Sequence, residues 1–127
     1  MARPDGASRR LAERRGRRAE MLAAWLLRLK GYRILARRYR VAVGEIDLIA
    51  RRGRLIAFVE VKQRLSLAEG AEAVTPTARR RIARAASAWL AAHPAAAALD
   101  LRFDVVICMP HRLPHHIAGA FDAEGAA

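Results

Sequence analysis

The stretch that most constrains this chain is "VGEIDLIARRGRLIAFVEVKQR", residues Val43 to Arg64, in which two strand-like runs flank Arg-Arg-Gly-Arg and both runs contain carboxylates. Gly53 at the centre of the joint is a turn signal, so residues 44–51 and 55–63 are expected to pair as a hairpin. With Gly53 and Arg54 as a two-residue loop, Asp47 falls opposite Glu60 and Glu45 opposite Lys62. Side chains alternate with period two, so Glu45, Asp47, Glu60 and Lys62 share one face, and Ile46, Leu48, Val59 and Val61 share the other. Moving the loop to Arg52-Gly53 keeps that sorting, whereas a three-residue loop splits it.

Two carboxylates facing each other at about 5 Å repel unless one takes a proton or a cation sits between them. A divalent metal resolves the conflict, and carboxylate oxygens with water and backbone carbonyls suit Mg²⁺ or Mn²⁺ better than zinc. Lys62, next along the face, is then placed to orient an attacking water or to stabilise charge on a phosphate. The plainer alternative is a Glu45–Lys62 ion pair with Asp47 and Glu60 solvated. Against it, the same face carries Ile49, Ile56 and Phe58, which are poor company for freely hydrated acids.

Around the hairpin, 127 residues suffice for one domain, expected over 8–122 with loose tails at 1–7 and 123–127. From Ser8 to Lys30 the series Leu11, Arg15, Arg18, Leu22, Trp25, Leu26, Leu29 predicts an amphipathic helix with its apolar stripe in the core, and Gly31 stops it. "YRILARRYR" reads as a short strand. After a loop containing Gly70, Thr75-Pro76 opens a second helix whose buried face is marked by Ile82, Ala86, Trp89 and His93, and which Pro94 ends. His93 reads as structural or solvated rather than a ligand. "LRFDVVICM" predicts a central strand, and "HHIAGAF" a short element of undetermined type. His111, His115 and His116 lie among prolines without acid or cysteine at metal spacing, and read as loop or surface residues.

Charge bears on the partner. Residues 1–64 hold 18 Arg and Lys against 6 Asp and Glu, whereas 65–127 hold 6 against 6. A polyanion, most simply nucleic acid, fits that field; a GC-rich genome would raise arginine everywhere and would not leave the second half neutral. Of the 24 cations only Lys30 and Lys62 are lysine, so each marks a position where a compact ammonium stands in place of the default guanidinium. Cys108 has no partner for an internal disulfide and reads as a small core residue in a reducing compartment. No apolar run reaches the roughly 18 residues of a membrane span, so a cytoplasmic protein without a membrane partner is expected.

Asp47, the hairpin and then Glu60-Val61-Lys62 resemble the D…E-x-K signature of the restriction-endonuclease-like superfamily. "GEIDLIA", "FVEVKQR" and "LRFDVV", after a Glu-bearing first helix ending in "LKGYRIL", look like the YraN-type family of small endonuclease-like proteins, related in fold to archaeal Holliday-junction resolvases. The likeness runs from Arg14 to Phe121. It implies an α/β fold with an αβββαβ core, a small mixed sheet flanked by helices. It also implies a metal site of Asp47, Glu60 and the Val61 backbone carbonyl, with Lys62 as catalytic lysine and Glu20 completing the acidic group. Read without the family, Glu20 lies about 160° from the Leu22-centred stripe and would be a solvated charge. Two departures are Arg38, where the family often has Asn, and the absence of a lysine from "TPTARRRIARAA", where Arg79, Arg80 and Arg81 stand as candidate phosphate contacts together with Arg64.

The expected activity is Mg²⁺-dependent (or Mn²⁺-dependent) hydrolysis of DNA phosphodiesters, in branched or structured DNA. The alternatives are a DNA-binding recombination accessory that keeps the fold without turnover, and a basic RNA- or ribosome-associated module. Related resolvases act as symmetric dimers, which implies a homodimer, although no dimer patch is evident in the sequence.

Overall fold

The computed structural model describes residues 6–123, so the expected tails fall largely outside the described residues; Gly6 and Ala7 belong to the first helix. Helix α1 (Gly6–Leu29) leads into three successive antiparallel strands, β1 (Arg33–Val41), β2 (Gly44–Arg52) and β3 (Leu55–Gln63). A short helix α2 (Leu67–Ala73), helix α3 (Pro76–Ala92) and a 3₁₀ turn (Pro94–Ala98) then cross to β4 (Asp100–Cys108). Strand β4 is parallel to β3, and β5 (His115–Phe121) returns antiparallel along its outer edge. The result is a five-stranded mixed sheet in sequential order, with α1 on one face and α3 on the other. Parallel neighbours need a long crossover, which the two helices supply. No helix among the described residues is long and apolar enough to cross a membrane.

The hairpin register is the expected one, with Arg52 opposite Leu55 and Leu48 opposite Val59 around a turn in which Gly53 takes φ +61°. Gly31 closes α1 at φ +92°, where the Tyr32 N–H donates to Leu27 O at 2.9 Å. Thr75 caps α3 as expected, accepting from Ala78 N at 3.2 Å. His93, expected on the buried face of α3, is the exposed C-cap; its ring stacks on Trp89 at 4.2 Å, because the helix ends before its side chain turns inward. Strand β4 is interior, and β3 occupies the centre.

Two expectations fail for identifiable reasons. The core face of α1 is Ala19, Ala23, Ala24 and Leu27, packed on Leu48, Ala50, Ala57, Val59 and Val106. The larger Leu11, Leu22, Trp25 and Leu29 point to solvent, with Trp25 56% exposed. Three alanines let the helix backbone lie close to the sheet, so the small residues, not the large ones, mark the buried side. The loop around Gly70 is instead helix α2, capped by Ser66, whose Oγ accepts from Glu69 N at 3.2 Å. Gly70 is required there for packing rather than flexibility: a Cβ at that position would meet Ile107 of β4 at 2.6 Å.

Candidate metal and phosphate site

The β2–β3 ladder is continuous from the turn to the Leu48–Val59 pair and then stops, one step short of Asp47 and Glu60. On the other side of β2, the β1–β2 ladder runs from Arg37–Leu48 to Tyr39–Ile46 and omits the intervening positions, Arg38 and Asp47. Arg38 has φ +50°, a left-handed backbone that costs a non-glycine residue of order 1 kcal/mol or more. Alternation breaks at the same place. Ile46 and Ile49 both lie in the α3-side core although Leu48 lies in the α1-side core, so three positions separate inward residues that regular pleating would space by two.

Because Asp47 belongs to neither ladder, its carboxylate takes a ladder role itself: Asp47 Oδ2 accepts the Val61 N–H at 2.8 Å. Glu60, with its side chain 13% exposed, lies within hydrogen-bonding reach of Asp47, and Lys62 Nζ is 3.7 Å from Glu60 Oε1. Burial first, then the hydrogen bond to Asp47 and its charge, push the Glu60 carboxyl from its ordinary 4.5 up to about 9; Lys62 opposes them, and Glu45 adds to them. A protonated Glu60 hydrogen-bonded to Asp47 therefore satisfies the pair in the protein alone. A hard divalent cation between the same oxygens would replace that proton, so the donor chemistry fits Mg²⁺ or Mn²⁺.

Glu45 does not sit opposite Lys62. The break in alternation puts it out of phase with Asp47, and it pairs instead with Arg40 at 3.2 Å on the exposed surface. Asp47, Glu60 and Lys62 thus come together as expected, and Glu45 leaves the group. Glu20 is not the solvated charge that the helix stripe suggested. It follows Ala19 on the sheet-facing side of α1 and accepts a 2.7 Å hydrogen bond from Arg38 Nε. Among the described residues, no group of three or more His, Cys, Asp and Glu side chains is gathered closely enough to hold a metal ion.

The candidate phosphate contacts differ in availability. Arg79 donates to Val74 O at 3.0 Å and lies over Phe121, whereas Arg80 reaches only Thr77 at the surface and Arg81 is exposed beside Gly44, at the start of β2. Arg64 is exposed just after Lys62 and lines a shallow depression with Arg15, Gln63, Leu65, Glu69 and Pro110.

One cluster was missed. Asp104 is fully buried on β4 and accepts from Arg102 Nε and Nη2 at 2.7 Å, from Gly119 N at 3.0 Å and from His116 Nε2 at 2.7 Å. Burial alone would raise its pKa; the bonds from His116, Arg102 and Gly119 prevail and hold the carboxyl at about 2. His116 is therefore no surface residue: its side chain is 3% exposed, and its Nδ1 lies 3.0 Å from Lys30 Nζ. Arg102 also donates to the Tyr32 hydroxyl at 2.6 Å. Strand β5, unassigned from sequence, is what brings His116 to Asp104. Cys108 is buried as expected, its thiol pushed up by burial.

The sequence matches the family described as Uncharacterised protein family UPF0102 over residues 19–108, a span that contains the GEIDLIA, FVEVKQR and LRFDVV motifs. It is 53% identical to a UPF0102 protein of Bradyrhizobium diazoefficiens, covering 97% of this chain and 98% of that one. A UPF0102 protein of Methylorubrum extorquens is 56% identical over 94% of each chain, and one of Mesorhizobium japonicum is 54% identical over 95% of this chain and 97% of its own. The chain belongs to the UPF0102 family, the YraN-type family that its motifs resemble.

Proposed function

We propose that this protein is a divalent-cation-dependent DNA endonuclease built on a restriction-endonuclease-like core, acting on branched or otherwise structured DNA. The observation that carries the reading is the convergence of Asp47, Glu60 and Lys62 where the β2–β3 ladder ends. Two carboxylates held close enough to require a proton between them are an unfavourable arrangement for a fold and a suitable one for a cation.

In this reading Asp47, Glu60 and the Val61 carbonyl hold Mg²⁺ or Mn²⁺, which when bound supplies a Lewis acid to a phosphate oxygen. The Val61 N–H keeps the Asp47 carboxylate oriented, so that it enters the reaction already in place. Lys62, beside Glu60, stabilises charge that develops on the scissile phosphate. Arg64, Arg80 and Arg81 draw the DNA backbone toward the site, and the excess of cations in the first half of the chain supplies the longer-range attraction. Glu20 joins the acidic group only if it exchanges Arg38 for the cation.

The test is a panel of labelled duplex, four-way junction, flap and single-stranded DNA with Mg²⁺ or Mn²⁺. Asp47→Asn and Lys62→Ala should abolish cleavage while leaving salt-dependent DNA binding nearly intact. Cleavage by either variant at the parental rate on every substrate would refute the assignment. A second reading, a DNA-binding accessory without turnover, is favoured by the Glu20–Arg38 pair, which leaves two carboxylates rather than three at the site. Calorimetric titration of Mn²⁺ separates the two: a site lost in Asp47→Ala supports the nuclease, and no heat in the parent supports the accessory.

A further inference from the structure

The Lys30, His116 and Asp104 cluster plays no part in the carboxylate site, and its geometry is that of a nucleophile, a base and the group that orients the base. We propose that Lys30 is a nucleophilic amine that condenses with the aldehyde of a phosphorylated compound, with His116 as its proton acceptor and Asp104 holding the imidazole in place.

Hydrogen-bond chemistry fixes the direction of the relay. An ionised carboxylate only accepts, so His116 Nε2 carries the hydrogen shared with Asp104 at 2.7 Å. An ammonium only donates, so Nδ1 presents its lone pair to Lys30 Nζ at 3.0 Å. The ring is held rigidly, because its side chain is 3% exposed and Tyr32 packs edge-on against it at 6.0 Å. Lys30 itself is exposed and within reach of a solute.

The two lysines of the chain make an internal comparison. Lys62 faces a carboxyl oxygen, Glu60 Oε1 at 3.7 Å, rather than a nitrogen base. Lys30 faces a lone pair on a nitrogen base, to which a proton can pass. A purely structural link between α1 and β5 would be served at least as well by arginine, the cation at 22 of 24 positions, with its several donors. The phosphate preference is part of the proposal and starts from Arg52, which lies over the Tyr32 ring at 4.4 Å and donates to the Lys30 backbone carbonyl at 3.2 Å, so that a second cation is anchored on the residue that carries the amine.

The chemistry balances without any redox partner. The Lys30 ammonium passes a proton to His116 Nδ1, and Asp104 stabilises the imidazolium. The freed nitrogen lone pair forms the C–N bond as the carbonyl π pair moves to oxygen, which takes a proton back from the imidazolium. Loss of water from the carbinolamine leaves a protonated imine, so that one ammonium and one aldehyde give one iminium and one water. Two sources present this chemistry, a small phosphorylated aldehyde and the ring-opened sugar of an abasic site in DNA.

The test incubates the full chain with pyridoxal 5′-phosphate in one arm and a duplex bearing one abasic site in the other, reduces with borohydride, and maps the adduct by peptide mass spectrometry. Lys30 should be trapped at least about tenfold faster than Lys62 in one or both arms, and the arm that responds identifies the source. His116→Gln should slow trapping at Lys30 by about tenfold or more without changing Lys62. Lys30→Arg, which keeps the charge and a donor to His116, should lose the adduct while staying folded. Trapping at Lys62 as fast as at Lys30 in the parent, or an unchanged Lys30 rate in folded His116→Gln, would overturn the proposal. If His116→Gln does not fold, the mapping on the parent decides alone. Asp47→Asn should be trapped like the parent, so a failure of the nuclease reading leaves this result untouched.

Discussion

Glu60→Gln should make the protein more stable at neutral pH and remove much of the pH dependence of its stability. In the folded chain the Glu60 carboxyl, buried and next to Asp47, holds its proton up to about 9, whereas in the unfolded chain it releases that proton near 4.5. Between those values the native state binds more protons than the unfolded state, so stability falls as pH rises, and it levels off only above the folded value. The slope is at most about 1.4 kcal/mol per pH unit, so from pH 5.5 to 7.5 this one group removes up to about 3 kcal/mol. Glutamine keeps a donor for Asp47 and cannot ionise, so the variant lacks this component. Urea denaturation at half-unit pH steps, followed by the fluorescence of buried Trp89, measures both curves, and the difference between parent and variant cancels the histidines. Parallel curves would show that Glu60 titrates as an ordinary carboxylate and would refute the argument from burial. Mn²⁺ should then raise the parent's midpoint more at pH 8 than at pH 6, because binding must displace the proton. It should do little for Glu60→Gln.

Further expectations can be checked with the same equipment. Asp104→Asn should cost about 3 kcal/mol in urea melts, since it leaves Arg102 without its carboxylate and disturbs the His116 bond. The drop of Asp104 from 3.8 to about 2 corresponds to roughly 2 kcal/mol, present above pH 4 and lost as acid brings the protein through pH 2, so Asp104→Asn should flatten that acid limb. Arg38→Gly should be more stable than Arg38→Ala by about 1 kcal/mol, the reverse of the usual order in a strand, because only glycine accepts φ +50° without strain. Trp25→Ala, on the outward face of α1, should change monomer stability by less than about 0.5 kcal/mol. A larger loss that grows with protein concentration would place that face in a homodimer.

What was legible in the sequence was what local chemistry encodes. Gly53 in a tight turn set the register that brings Asp47 toward Glu60, and Thr75-Pro76 set the start of α3. Helix α2 was also encoded, since Ser66 and Glu69 have the spacing of a capping box, but Gly70 drew the eye as a loop residue when its role was to admit Ile107. The α1 stripe failed because size stood in for burial. Ala19, Ala23, Ala24 and Leu27 form an equally regular face, and only contact with the sheet distinguishes it from that of Leu22, Trp25 and Leu29. His116 had no local signal, because its partners are 12 residues away at Asp104 and 86 away at Lys30.

The break at Arg38 and Asp47 was equally silent, since an arginine carries no preference for positive φ. That break also bears most directly on function. Had both ladders run on through Asp47, its backbone N–H and C=O would both have been taken up by one neighbouring strand, and Val61 N–H would have gone to a β2 carbonyl. Interrupting them frees Asp47 to receive that N–H on its side chain, which points the carboxylate at Glu60 and holds it there. The strain at Arg38 is thus coupled to the orientation of the acid proposed to hold the cation, and the same residue's guanidinium restrains Glu20. Relaxing the backbone with Arg38→Gly removes both constraints together, whereas Arg38→Ala releases Glu20 alone. If Mn²⁺ affinity rises in Arg38→Ala, the Glu20 carboxylate is a ligand in waiting; if it rises only in Arg38→Gly, the backbone is what limits the site; and if it rises in neither, Arg38 serves the fold and the two-carboxylate arrangement is complete as it stands.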